Sequence, residues 1–254
     1  MRSLIAFPCA GETLIGTLDA AIGKTGLLIV SGGNEIRCGA HRGMTLLAQA
    51  VAAKGHPVFR YDRRGIGDST GANGGFLSAE ADLIAATEAF RASAPHIDRT
   101  VGFGNCDAAS TLALFGRAAG IDRLLLANPW TIEDTDDLPP AAAIRATYRQ
   151  RLTDPAAWTR LLAGRIDPIK AIKGLRKAAA RSPQALATRV VSAIESWGDA
   201  ATVILASGDA TAQAYAAAAR HLPARRIDTA SHSFARAEDQ RALCDAVLTA
   251  LAAA

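Results

Sequence analysis

Hydrophobic positions fall into short blocks separated by polar or glycine-bearing turns, and the spacing within each block assigns it a type. Residues 4–7 and 14–18 are β-type runs on either side of Ala10-Gly11-Glu12, which predicts an opening antiparallel hairpin. Residues 27–30 predict a third strand. The loop Ser31-Gly32-Gly33-Asn34 follows, then a helix over about 41–54 with Met44, Leu46, Leu47 and Val51 on one side. The alternation continues with strand 57–61, helix 77–92, strand 100–103, a helix from about Cys106 that carries Leu112, Leu114 and Phe115, and strand 123–127. Strands alternating with helices of this length predict an α/β fold, a mostly parallel central sheet with helices on both faces.

The rhythm breaks at Thr131. From there to about Trp197 only helical patterns occur, at 141–152, 156–162 and 169–180, which predicts an inserted helical subdomain over 131–197 between core segments 1–130 and 198–254. Its entry is acidic (Glu133, Asp134, Asp136, Asp137) and its body is rich in arginine and lysine. The sheet resumes with strand 202–206, helix 210–221, strand 225–227 and a closing helix over 235–252.

Composition narrows the class. Half of the residues are hydrophobic and a fifth are charged, which suits a folded chain and not a disordered one. The net charge is +4, but the arginines are scattered and form no dense basic block, so nucleic acid is not an expected partner. No apolar stretch approaches the ~20 residues of a membrane span. The apolar run at 4–10 is interrupted by Pro8 and makes a poor signal-peptide core, so a cytoplasmic location is expected. Cys9, Cys38, Cys106 and Cys244 lie far apart, without a C-x-x-C pair or a histidine at ligand spacing; neither a metal site nor a disulfide framework is expected.

The segment Gly104-Asn105-Cys106-Asp107-Ala108 places a nucleophile between a predicted strand and a predicted helix, flanked by small residues, in the form of a nucleophile elbow. Cysteine replaces the serine, and alanine the last glycine, of the G-x-S-x-G pattern. Asp209 follows the strand after the insertion, and His232 follows the last strand, in the segment Ser231-His232-Ser233-Phe234. Nucleophile, acid, histidine is the chain order of α/β-hydrolases, and each position falls just beyond the carboxyl end of a strand. Taken singly, Cys106 also reads as a buried cysteine, Asp209 as a helix N-cap and His232 as a loop histidine; Asp228 is a rival acid. The oxyanion donors expected are the N–H of Asp107 and that of Gly33 or Asn34. Arg37 and Arg42 are candidates for gripping a substrate carboxylate. The loop Tyr61-Asp62-Arg63-Arg64-Gly65 reads as structural.

These features resemble the α/β-hydrolase superfamily. More narrowly, G-G-N-E-I-R-C-G-A-H-R-G from Gly32, F-R-Y-D-R-R-G-I-G-D-S from Phe59, G-N-C-D-A-A-S from Gly104, N-P-W from Asn128 and S-H-S-F from Ser231 resemble the type 1 hydrolases associated with exosortase A systems. That resemblance covers nearly the whole chain and implies a cytoplasmic bacterial hydrolase. Dienelactone hydrolases are similar in having an elbow cysteine, and their glutamate after the oxyanion strand would correspond to Glu35.

The expected chemistry is hydrolysis of a small-molecule ester or thioester, free or attached to a carrier or glycan, through an acyl-cysteine and without a cofactor. A helix N-terminus and an imidazole lower a thiol from its ordinary ~8.5, which predicts a Cys106 thiolate beside protonated His232 and acylation that survives loss of the histidine. An acceptor other than water would make the same machinery an acyltransferase. A non-catalytic or redox-sensing role, with Cys38 as resolving thiol, is the alternative. The insertion occupies the place of an α/β-hydrolase cap; its basic body reads either as solvated helix faces or as a rim for an anionic carrier or acidic glycan.

Overall fold

The computed structural model describes residues 1–133 and 184–254. Among them lie strands β1 (Arg2–Cys9), β2 (Glu12–Asp19), β3 (Thr25–Val30), β4 (Val58–Tyr61), β5 (Arg99–Asn105), β6 (Arg123–Ala127), β7 (Ala201–Ala206) and β8 (Arg225–Ile227). The α-helices are α1 (Gly43–Ala53), α2 (Glu80–Ser93), α3 (Asp107–Phe115), α4 (Gln184–Trp197), α5 (Ala210–Ala218) and α6 (Ala237–Ala252). The helical patterns expected at 141–152, 156–162 and 169–180 lie outside the described residues.

The strands form one sheet in the order β1-β2-β4-β3-β5-β6-β7-β8. β1 pairs antiparallel with β2 through a turn at Ala10-Gly11, and β2 pairs antiparallel with β4. Every pairing from β4 onward is parallel. The hairpin and the mostly parallel sheet are those expected from the hydrophobic pattern. The turn closes tightly because both linking residues take positive φ, 49° at Ala10 and 85° at Gly11, matching the twist of the flanking strands.

Alternate residues of each central strand face opposite sides. On one side Leu27, Ile29, Val101, Phe103, Leu125 and Ile204 meet Leu47, Ala48 and Val51 of α1 and Leu243, Val247 and Leu251 of α6. Each fully buried Leu, Val or Phe stabilises the fold by roughly 1.5–3 kcal/mol before entropy is counted. Phe59 of β4 stacks on Phe90 of α2 with ring centroids 5.6 Å apart.

α1 begins at Gly43, later than the pattern indicated, because His41 and Arg42 take left-handed angles of 52° and 60° that no helix continues. By compactness the chain divides into Met1–Thr131 with Thr188–Ala254, and Ile132–Ala187. Within α4, Val190, Ile194 and Trp197 recur on one helical face and are buried, and the Trp197 indole N–H donates to the Ala113 carbonyl of α3 at 3.1 Å.

Candidate active site

β5 ends at Asn105 and α3 starts at Asp107, so Cys106 alone joins strand to helix. It takes φ 63° and ψ −129°, a region that costs a residue with a Cβ about 1–3 kcal/mol. Backbone bonds hold it there. Its N–H donates to the Ala127 carbonyl at 3.0 Å, and its carbonyl accepts from Ala109 at 3.1 Å and Trp130 at 3.2 Å. The turn folds β5 so closely onto α3 that a Cβ on Gly104 would lie 2.7 Å from the Ala108 carbonyl carbon, which is why that position carries no side chain.

Asp209 is placed both as a helix cap and beside His232. It is the N-cap of α5, where its Oδ2 accepts from the Ala212 N–H at 2.9 Å. Its Oδ1 lies 3.0 Å from His232 Nδ1. Asp209 is buried, whereas Asp228 is exposed. The His232 loop is tied to α6 by the Thr229 hydroxyl donating to Asp239 at 2.7 Å and the Ser231 N–H donating to Thr229 Oγ1 at 3.0 Å. Burial opposes the charge on Asp239, but hydrogen bonds from Arg236 and Thr229 outweigh it and hold the carboxyl below its ordinary range. On its other side the His232 carbonyl accepts from Asn105 Nδ2 at 3.0 Å and Asn128 Nδ2 at 3.2 Å. Neither asparagine stands out as functional in the sequence; the signal was its place, one before the elbow cysteine and the other directly after a strand.

The electrostatics run against one expectation. Burial, and then the negative charge of neighbouring Asp107, push the Cys106 thiol up to about 12, and Asp209 and Glu35 raise it further, against the lowering effect of the Asp107 backbone N–H. Burial and these charges favour a neutral thiol over the thiolate expected from its helix N-terminus. A helix end favours an anion by about 0.3–1 kcal/mol, too little against desolvation and a carboxylate one residue away. Alkylation of Cys106 by iodoacetamide, followed by peptide mass spectrometry, is expected to be slow at pH 7.5 and to rise about tenfold per pH unit up to at least pH 10, because only the rare thiolate reacts. Fast, pH-independent labelling between pH 6 and 9 would contradict a neutral thiol.

The loop after β3 approaches the elbow at Gly32, where a Cβ would meet the Asn105 carbonyl oxygen at 2.6 Å and Asp107 Oδ1 at 2.7 Å. The Gly33 N–H, one of the two alternative loop donors for an oxyanion, is engaged by Asp107 Oδ1 at 2.6 Å. Buried Arg63 donates to the Gly33 carbonyl, so this peptide is gripped at both ends. Asn34 Oδ1 accepts from Asn73 at 2.9 Å, and the Asn34 N–H makes no hydrogen bond among the described residues. Glu35 is exposed and accepts weakly from the Ala40 N–H at 3.3 Å.

Arg37, expected as a substrate grip, is bound by the protein itself. Its guanidinium pairs with fully buried Asp62, with Asp68 at 2.9 Å, and donates to Thr17 at 3.0 Å. Arg42 is exposed at the left-handed turn into α1. Asp62 also accepts from the Arg37 and Asp68 N–H groups, so the loop after β4 is structural, as its sequence suggested.

Solved structures match over nearly the whole chain. DcsB in complex with its substrate analogue is 15% identical with TM-score 0.65, covering 99% of this chain and 98% of that one. The alpha/beta hydrolase GrgF from Penicillium sp. sh18 is 16% identical with TM-score 0.64 over 99% and 98%. The chain has the α/β-hydrolase fold. The thioesterase domain from the curacin biosynthetic pathway shares it, at 13% identity and TM-score 0.59 over 98% of this chain and 99% of the domain. No protein-family model matches the chain, and no curated protein matches it by sequence. Among the described residues, no helix is long and apolar enough to cross a membrane.

Proposed function

We propose that this α/β-hydrolase-fold protein hydrolyses a small-molecule carboxylic ester or thioester through an acyl-cysteine, with Cys106 as nucleophile, His232 as base and Asp209 as orienting acid. The observation that carries this reading is the 3.0 Å contact between Asp209 Oδ1 and His232 Nδ1, on the same sheet edge as a cysteine held at an elbow. The neighbouring hydrolase and thioesterase structures support it through the shared fold, and the motifs resembling exosortase-associated hydrolases support a bacterial, cytoplasmic setting.

Asp209 accepts from Nδ1–H and so fixes the tautomer in which Nε2 is the base. Nε2 takes the Cys106 proton as Sγ bonds to the carbonyl carbon. The carbonyl oxygen gains the negative charge and is received by the N–H of Asp107 and, with the Gly33 N–H engaged, that of Asn34. Collapse breaks the bond to the leaving group, which departs with the proton from His232. Water then gives a proton to His232 and attacks the acyl-cysteine; collapse breaks the C–S bond, releasing the acid, and His232 returns that proton to Sγ to restore the thiol. The scheme uses neither metal nor organic cofactor.

A panel of acyl esters and acyl thioesters, read by intact mass, tests the reading: at least one substrate is expected to leave a transient acyl adduct on Cys106. Turnover without that adduct, unaffected by loss of Cys106, would sink it.

Asp209→Asn is a clean probe of the acid, because asparagine caps a helix about as well as aspartate and the fold should survive. With a neutral thiol to deprotonate, losing the acid is expected to lower kcat roughly 10²- to 10³-fold, while Asp228→Asn has little effect. Kinetics in the reverse order would transfer the acid role to Asp228.

A further inference from the structure

We propose that Asn105 and Asn128 are positioning residues for His232, their side-chain amides fixing its backbone carbonyl relative to the nucleophile elbow. The inference rests on the reading of His232 as the base and adds what holds that base in place.

The two amides form a closed set. Asn128 Oδ1 accepts from the Ala206 N–H at 2.9 Å, and Asn128 Nδ2 donates to Asn105 Oδ1 at 3.0 Å and to the His232 carbonyl at 3.2 Å. Asn105 Nδ2 donates to the same carbonyl at 3.0 Å. The orientation of each amide is forced: a backbone N–H only donates and a backbone carbonyl only accepts, so Asn128 must face Ala206 with oxygen and His232 with nitrogen. Asn128 is 0% exposed and sits at φ 43°, a left-handed angle that asparagine tolerates better than most residues. Its own N–H continues the ladder to the Ile204 carbonyl at 2.9 Å. The network thus joins the ends of β5, β6 and β7 to the loop that carries the histidine.

The His232 loop needs such a tie. It is only partly covered, and Phe234 within it takes φ 53°. Asp209 holds one ring nitrogen, which leaves the ring free to pivot with its backbone. An error of about 1 Å between base and nucleophile can cost on the order of 10²-fold in rate. Aspartate at position 105 would keep the acceptor for Asn128 but set a carboxylate oxygen against the His232 carbonyl, so charge and repulsion replace the bond.

The test compares Asn105→Ala and Asn105→Asp with wild type; Asn105 is half-buried, and Asn105→Ser replaces any variant that fails to fold. Imidazole nitrogens of ¹⁵N-histidine-labelled protein report the His232 tautomer without any substrate. The wild type is expected to show a single Nδ1–H form, and the variants a mixture with broadened signals. With p-nitrophenyl acetate, kcat is expected to fall about 30-fold or more while KM stays within about threefold and the melting midpoint within a few degrees. Folded variants with an unchanged tautomer and unchanged kcat would overturn the proposal, as would a fall in melting temperature alone. If wild type turned over no ester or thioester, the enzymatic reading would fail while the tautomer measurement still decided whether these amides position the ring.

Discussion

Cys106→Ala is expected to reduce turnover of any ester or thioester substrate to the solvent background, a loss on the order of 10³-fold or more. Under the proposed mechanism the substitution removes the atom that carries the acyl group and little else, since alanine meets the same backbone demand at φ 63° and the hydrogen bonds that hold the elbow are made by the main chain. Circular dichroism and melting close to wild type should accompany the loss. Activity near the wild-type level would remove Cys106 from the mechanism. The upward push on the thiol also changes the outlook for Cys106→Ser. A site built around a resting thiolate would place and activate a hydroxyl badly. A nucleophile that waits for His232 to take its proton is already in the situation that serine requires, so Cys106→Ser is expected to keep measurable turnover, about 10²-fold below wild type. Complete inactivity of a folded Cys106→Ser protein, alongside fast alkylation of wild type at neutral pH, would restore the thiolate.

His232→Ala is expected to lower the rate of acylation itself by roughly 10²- to 10⁴-fold, so that no acyl-enzyme accumulates. This reverses the outcome expected from the helix N-terminus alone, in which a preformed thiolate attacks without help and the reaction stalls at the acyl-cysteine. With the thiol raised to about 12, its ionised fraction near neutral pH is small, and removing the base removes the route to it. The sign follows for pH: the variant's residual acylation should rise about tenfold per unit as pH increases through 8 to 10, where hydroxide does what the imidazole did. Intact-mass measurement with an activated ester decides the matter. A prompt stoichiometric adduct on Cys106 in folded His232→Ala protein, formed as fast as in wild type, would show that the nucleophile ionises unaided.

The hydrophobic rhythm made the hairpin and the parallel strands legible, because a buried strand must present apolar residues to both faces and a helix must repeat near every third or fourth residue. The same rhythm misplaced helix starts where the backbone was committed elsewhere. α1 yields to left-handed His41 and Arg42, and α6 to the loop that carries His232. The amphipathic repeat of Val190, Ile194 and Trp197 was present in the sequence, but a pattern of burial does not name its partner, and the loss of strand character masked it.

The candidate site divides in the same way. Cys106, Asp209 and His232 stand out as candidates in the sequence because of their residue types, their order and their places at strand ends, and the small residues around the elbow announce a tight turn. Their partners were not readable. Arg37 lies 25 residues from Asp62 and yet its guanidinium pairs there, and Asp107 lies 74 residues from the Gly33 N–H that it occupies. Asn128 meets His232 across 104 residues. The ionisation of Cys106 belongs to this second kind. A sequence shows that a cysteine heads a helix, but desolvation and the summed charge of Asp107, Asp209 and Glu35 exist only once the strands and loops have been brought together, and those terms decide whether the sulfur waits as thiolate or thiol.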